Sequence, residues 1–264
     1  MKDRHILLIQ TISELNEFAK TLETEQAVGV DVEADSMFHF RERVCLIQMQ
    51  TSRSCAIIDP LKVHDLSALK PMFSNPDIRK VFHGADFDVR SLYRDFGIEI
   101  RNLFDTQLAS RFLGEPETSL EAMIHKRFGV MLDKKYQKRD WSERPLPDEM
   151  MEYAVSDVIY LIPLADMLEH ELEAKERLSW VREECAILSR VRNSITEDNE
   201  PLFMKFKGAG RLRPRSLAIL EALLHLRKEI ARKKDRPPFK VFGNESLLEI
   251  IRVRPPTVEK LKSL

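Results

Sequence analysis

The stretch VGVDVEADS, residues Val28 to Ser36, limits the possible folds of this chain more than any other. Val28, Val30 and Val32 are β-branched and lie in an apolar run, so the segment predicts a buried strand. Asp31 and Glu33 are one residue apart on it. Alternate residues of a strand share a face, so both acids point the same way. Taking an unpaired carboxylate out of water is costly, and two neighbouring carboxylates also repel each other. A strand that keeps both must present them to something cationic.

The segments around it predict a mixed sheet. Ala27–Glu33, Val44–Thr51 and Cys55–Asp59 read as three strands joined by polar turns, an antiparallel meander. IRKVFHG and IEIRNLFDT read as further strands, and LSALKPMF as a short helix. DFDVRSLYRDFG, QLASRFLG and TSLEAMIHKRFG read as helices, with Gly97 and Gly129 as stops and Thr118 or Ser119 as an N-cap. A polar basic loop, KKYQKRDWSERPLP, follows. One long helix is then expected from about Asp148 through Tyr153 and Asp157 into LEHELEAKER. Strands first, then strands alternating with helices, indicate an α/β domain whose mixed sheet is flanked by helices. A charge-rich helical connector runs from about Glu173 to Arg192, and TEDNEPLFMKFKGAG reads as a linker. Beyond it Leu217, Leu220, Leu223, Leu224 and Ile230 keep helical spacing, RPPF ends that helix, and Asn244 is placed to cap the next. The expected divisions are 1–170 for the α/β domain, 171–210 for connector and linker, and 211–264 for a small all-helical domain.

The formal net charge of −1 conceals a split. From Lys205 to Leu264 there are 16 Lys and Arg against 6 Asp and Glu, whereas the preceding residues hold 26 against 37. A basic tail on an acidic body fits either a polyanionic partner or a solvated helical surface. The opening MKDRHILLIQ has too short an apolar run for a signal peptide, and no stretch has the length of a membrane span, so no membrane association is expected. Cys45, Cys55 and Cys185 show no metal-ligand spacing and suit a reducing cytoplasm.

Three groups of side chains carry chemistry: Asp31 with Glu33, Asp86 and Asp88 in HGADFDVRSL, and Tyr153 with Asp157 in EYAVSDVIYL. Each has a plainer alternative. Asp86 or Asp88 fits a helix N-cap, Tyr153 and Asp157 fit a surface pair one turn apart, and His83 fits a satisfied core histidine. Taken together, ligands that are all oxygen suit a hard cation such as Mg²⁺ or Mn²⁺, and four carboxylates suit two of them. A pair of such ions can hold the attacking and leaving oxygens of a phosphoryl displacement, with the Tyr153 phenol orienting the water.

The ordered set Asp31-x-Glu33, Asp88, Tyr153-x-x-x-Asp157 resembles the DEDDy family of 3′→5′ exonucleases. VGVDVEADS, KVFHGADFDV, LFDTQLASRFLG, DWSERPLP and YAVSDVIYLIPL resemble bacterial ribonuclease D and the exosome-associated nuclease, over roughly Thr11 to Leu168. The resemblance implies a ribonuclease H-like fold with two metals. It implies Asp31, Glu33, Asp88 and Asp157 as ligands and Tyr153 as the water-orienting residue. Asp88 is favoured over Asp86 because it matches the family acid five residues after the histidine. His83, Asp105 and Gln107 are implied as supporting residues, and Trp141 and Arg144 as structural or substrate-adjacent. LEALLHLRKEIARKKDRPPFKVFGNESLLEIIRVRP resembles the helicase-and-ribonuclease-D C-terminal (HRDC) domain. The tail is shorter than that family's usual domain and is expected to be incomplete.

The expected activity is therefore metal-dependent 3′→5′ exoribonuclease action. It would release nucleoside 5′-monophosphates, act on tRNA precursors or other small structured RNAs, and need no small-molecule cofactor. Lys134, Lys135, Lys138 and Arg139 in the basic loop, and Arg211, Arg213, Arg215, Arg232, Lys233 and Lys234 in the tail, are the candidate RNA-binding cations. The alternatives are a 3′→5′ DNA exonuclease and a non-catalytic RNA-binding module on the same fold.

Overall fold

The computed structural model describes residues 5–192 and 200–263. They divide into two compact units. One holds the described residues up to Asp35 and from Arg43 to Arg192; the other holds Ser36–Glu42 and the described residues from Glu200 onward. The start of the expected linker, Thr196 to Asn199, lies outside the described residues.

The first unit opens with β1 (His5–Ile9) and α1 (Ile12–Leu22), two elements that precede the strands read from the sequence. Thr11 starts α1: its hydroxyl accepts the Glu14 N–H at 3.2 Å while the Glu14 carboxylate accepts the Thr11 N–H at 3.0 Å. β2 (Ala27–Ala34), β3 (Val44–Gln50) and β4 (Ser54–Ile58) are antiparallel neighbours, the meander read from the sequence. After α2 (Lys70–Ser74), β5 (Arg79–Phe82) joins β2 in parallel. α3 (Asp86–Phe96) leads to β6 (Leu103–Asp105), which joins β5 in parallel, while β1 joins β4 in parallel. The result is a mixed six-stranded sheet in the order β1-β4-β3-β2-β5-β6. IEIRNLFDT supplies only the three residues of β6 because Asn102, at φ 54°, occupies the left-handed region and breaks the extended chain.

α4 (Thr106–Leu113), α5 (Leu120–Phe128), α6 (Asp148–Val158), α7 (Leu161–Ala174) and α8 (Leu178–Leu188) complete this unit. Ser119, not Thr118, caps α5. The single long helix expected from Asp148 is two helices. Pro163 has no N–H for the Ile159 carbonyl and its ring collides with that carbonyl, so the helix stops at Val158 and restarts at Leu161. The corner between them seats on β2. A Cβ on Gly29 would lie 3.3 Å from the Leu161 Cβ and 3.4 Å from the Val158 carbonyl oxygen. In the stretch read as a connector, Leu178, Val181 and Cys185 of α8 are buried in the same core as Val28 and Val30.

β2 is central, and its two neighbours have different reach. It pairs with β3 from Gly29 to Ala34, but with β5 only from Ala27 to Gly29. β5 ends at Phe82, so Asp31 and Glu33 extend past it into the opening at the carboxyl ends of the parallel strands. Open α/β sheets bind their ligands there.

The second unit is helical. α9 (Pro214–Lys233) and α10 (Asn244–Val253) pack around a core of Phe206, Leu220, Leu224, Leu247 and Ile251, and α11 (Val258–Lys262) follows with no buried residue. Gly243 rather than Asn244 is the N-cap of α10; the Asn244 side-chain oxygen instead accepts from Arg227 at 2.9 Å.

Candidate active site

Asp31 and Glu33 leave β2 on the face covered by the α6–α7 corner, and Asp157 comes down to them from the last turn of α6. One carboxylate oxygen from each of Asp31, Glu33 and Asp157 lies within 4.8 Å of the others. Asp88 enters from the first turn of α3, 6% exposed, near enough for the Asp31 charge to act on it. It is not an N-cap. That position is Ala85, without a side-chain bond, and Asp86 faces away to pair with Arg90 at 2.9 Å.

The electrostatics are those of crowded acids in a half-buried site. Burial pushes the Asp31 carboxyl up to about 7, against a lowering contribution from the Val32 N–H. Burial, then the Asp31 charge, push Asp157 up to about 8, and the Tyr153 hydroxyl partly offsets this. Burial holds Glu33 well above the usual carboxylate range, with Asp31, Asp157 and Asp88 adding to it. Asp88 is raised in the same way, by burial first and Asp31 second. Among the described residues no cationic side chain offsets the raised values of these four acids. Every donor is a hard oxygen, so the set fits one or more divalent cations and supplies no ligand a soft metal would select.

Tyr153 lies one turn before Asp157, its phenol held neutral by burial and then by the Asp157 and Glu33 charges. Its ring is fixed by Tyr136 and Trp141, each with its ring centre 6.0 Å away. This shows what the DWSERPL phrase does. Trp141 is 1% exposed and packs with Tyr153, Met150 and Ala154. Arg144 clamps the fully buried Asp59 with two bonds of 2.8 Å and donates to the Cys45 and Trp141 carbonyls, both at 2.8 Å. Neither residue lines the cleft, so both support the tyrosine from the core side.

Asp105 is 3% exposed and organises the turn from β5 into α3. Its Oδ1 accepts from the Gly84, Gln107 and Leu108 N–H groups at 2.9, 2.8 and 3.1 Å, and its Oδ2 from Ala85 at 2.8 Å. One carboxylate thus sets both the start of α4 and the approach to Asp88. His83 donates through Nε2 to the Thr118 carbonyl at 2.9 Å and bonds the Thr106 hydroxyl at 2.8 Å; burial lowers its pKa.

The acids open onto a cleft of about 430 Å³, lined also by His83, Gln107, Glu121, Leu132, Lys134 and Gln137. The basic loop does not act there as a block. Lys134 reaches the cleft, paired with Glu121, whereas Lys135 lies 4.9 Å over the Tyr136 ring and 3.8 Å from Glu149. Lys138 and Arg139 are exposed and line none of the cleft. In the second unit the candidate cations are all exposed but fall in two groups. Arg211, Arg213 and Arg215 stand at the start of the 20-residue α9 and Arg232, Lys233 and Lys234 at its end, roughly 30 Å apart at 1.5 Å per residue. Glu121, Leu132 and Gln137 were not singled out in the sequence, since nothing local distinguishes them from ordinary surface residues.

A mixed sheet with acids at the carboxyl end of its central strand, completed from two helices, defines a carboxylate-type nuclease core. The 3′-5′ exonuclease family model matches residues 6–173, and the HRDC domain model matches residues 216–264. Ribonuclease D from Desulfotalea psychrophila is 30% identical over 263 residues, covering 99% of this chain and 70% of that protein. Protein RRP6-like 2 from Arabidopsis thaliana is 34% identical over 268 residues, covering 97% of this chain and 31% of that protein. The crystal structure of Escherichia coli RNase D, an exoribonuclease involved in structured RNA processing, aligns with a TM-score of 0.80 at 30% identity, over 98% of this chain and 69% of that one. The chain belongs to the 3′-5′ exonuclease family, in its ribonuclease D branch. It spans between 19% and 42% of the length of the RRP6-like and exosome-component relatives it matches.

Proposed function

We propose that this protein is a metal-dependent 3′→5′ exoribonuclease that removes nucleoside 5′-monophosphates one at a time from RNA ends. The observation that carries this is the convergence of Asp31, Glu33 and Asp157 within 4.8 Å, beside Asp88 and Tyr153, in an open cleft. Asp31, Glu33, Asp88 and Asp157 are the ligands, and two Mg²⁺ or Mn²⁺ ions are the cofactors. When bound, such a pair stabilises both the attacking and the departing oxygen of an in-line displacement. The chain's own residues do the rest. Tyr153, kept protonated by its surroundings and held between Tyr136 and Trp141, presents its hydroxyl to orient the attacking water. Asp105 holds the turn that brings Asp88 in, and Lys134 offers a cation to the phosphate chain at the cleft wall.

The substrates are the 3′ ends of small structured RNAs, tRNA precursors among them, consistent with the ribonuclease D relatives. Arg211, Arg213, Arg215, Arg232, Lys233 and Lys234 of the HRDC domain contact RNA phosphates. Three buried cysteines, none of them in a disulfide, fit a reducing cytoplasm, and among the described residues no helix is long and apolar enough to cross a membrane.

The test is a time course on 5′-labelled RNA and DNA oligonucleotides with Mg²⁺, Mn²⁺ or EDTA. A ladder shortening from the 3′ end of RNA, abolished by EDTA, is expected. Equal degradation of DNA replaces the RNA assignment with a DNA exonuclease, and no cleavage of either replaces it with a binding module.

A further inference from the structure

Gln48 sits in the middle of β3, fully buried, and neither its Oε1 nor its Nε2 has a hydrogen-bond partner. Buried side-chain amides are nearly always bonded, because leaving both ends unmade forfeits their hydration with no return. Its location shows what it is there for. Gln48 is directly opposite Asp31 in the antiparallel ladder. Opposed residues on such a pair share one face, with Cβ atoms about 4.5–5.5 Å apart. On its other side Gln48 faces Ile57 of β4. Leu46 and Ile57, which share this face, pack beneath Met150 and Ala154 of α6. The amide is therefore enclosed by apolar groups, with the Asp31 carboxylate across the ladder and Gln50 along the strand as its polar neighbours. The Gln50 side-chain oxygen is also unpartnered and is the other acceptor within range of a Gln48 N–H, but residues two apart along a strand are separated by about 6.5–7 Å, so the directly opposed Asp31 carboxylate is the nearer recipient.

We propose that Gln48 is a positioning residue for Asp31: a bond this structure does not show forms when the cation is held, Gln48 Nε2 donating to the Asp31 carboxylate oxygen that faces the sheet while the other oxygen is aimed at the cation. The proposal rests on Asp31 being a metal ligand. A donor at the inner oxygen favours the ionised carboxylate and fixes its plane, as outer partners of metal ligands do elsewhere. It touches neither substrate nor metal.

The test uses the full chain and Mn²⁺ alone. Gln48→Met keeps length and volume and removes both polar ends. By titration calorimetry its Mn²⁺ affinity is expected to fall about tenfold, the lower range for loss of a partner behind a metal ligand. In EDTA its unfolding temperature is expected to hold or rise, since an unbonded buried amide has been removed. A role in packing alone gives the reverse: lower stability and unchanged Mn²⁺ affinity. Mn²⁺ affinity within about twofold of wild type overturns the proposal. Asp31→Asn, run in parallel, separates the two levels. If it abolishes Mn²⁺ binding while Gln48→Met leaves it intact, only the role of Gln48 fails; if it too leaves binding intact, the metal site itself fails. The wild-type protein supplies a measurement independent of any variant. The Gln48 side-chain amide NMR signals are expected to shift on Mg²⁺ addition, with one proton moving downfield and exchanging more slowly. Signals that stay put overturn the proposal.

Discussion

Replacing Asp105 with asparagine tests whether one buried carboxylate holds the entrance of α3. Asp105 accepts four backbone N–H groups, three on Oδ1 and one on Oδ2. Asparagine has nearly the same shape but one oxygen. Whichever way its amide turns, an N–H₂ faces backbone donors; in the less costly orientation the oxygen keeps the three donors on Oδ1 and Ala85 loses its acceptor. An unsatisfied buried donor costs about 1–3 kcal/mol, and hydrogen bonds to a charged acceptor contribute about 1.5–3 kcal/mol against about 0.5–1.5 for neutral ones. The three surviving bonds therefore weaken by about 1 kcal/mol each, less than additively because they share one oxygen. The expected loss is about 3–5 kcal/mol, a large share of a total stability of about 5–15 kcal/mol but short of unfolding the protein. Urea denaturation in EDTA, at unchanged slope, measures it. Asp88 sits in the turn that follows, so Mn²⁺ affinity is expected to fall as well. A stability loss below about 1 kcal/mol would show that the turn is held by other contacts and refute the reasoning.

Asp31→Asn is expected to abolish RNA hydrolysis while raising the metal-free melting temperature, because a repelling charge is removed; turnover near wild type counts against the ligand assignment. Asp157→Asn and Tyr153→Phe should fail differently. The first lowers Mn²⁺ affinity and rate together, whereas the second leaves affinity nearly unchanged and slows single-turnover cleavage by roughly 10²-fold, the loss of a water-orienting contact; wild-type cleavage by Tyr153→Phe makes the tyrosine a packing residue. Without divalent metal, stability should decline as pH rises. Asp31 and Asp157 have folded-state values of about 7 and 8 against 3.8 for the free side chain, so the folded state binds more protons between about 4 and 8 and loses that advantage on crossing the window. Melting temperatures across this range in EDTA and in Mg²⁺ check it, with the slope flattened by the cation. Substituting Arg232, Lys233 and Lys234 together with alanine should reduce the salt dependence of single-stranded RNA binding by about 2 in log–log slope, at about 0.7 per phosphate contact; an unchanged slope means these residues face solvent only.

What the sequence by itself determined is whatever depends on a few neighbouring residues. The β-branched alternation around Asp31 and Glu33 specifies a strand with both acids on one face, and Tyr153 and Asp157 share a helix face at any site with helical spacing. The meander was legible for the same reason, through short apolar runs divided by polar turns. The break between α6 and α7 was also locally encoded, in Pro163, but was masked by the apolar pattern that continues on both sides of it. Only the tertiary structure decided the rest. That β2 outruns β5, and so exposes its acids at a sheet opening, depends on where two distant strands stop pairing. The meeting of Asp157 with Asp31, more than a hundred residues earlier, requires the α6–α7 corner to close onto Gly29. Trp141 and Arg144 fall in the core rather than the cleft because Asp59 and Tyr153 wait for them there. The tail cations part into two groups because α9 is 20 residues long and rigid. Gln48, one more polar residue in an apolar strand, acquires its meaning only from the register that sets it opposite Asp31. Backbone propensity and periodicity act over one or two turns, whereas register, helix docking and the pairing of buried charge are settled between segments that touch only when the whole sheet has formed.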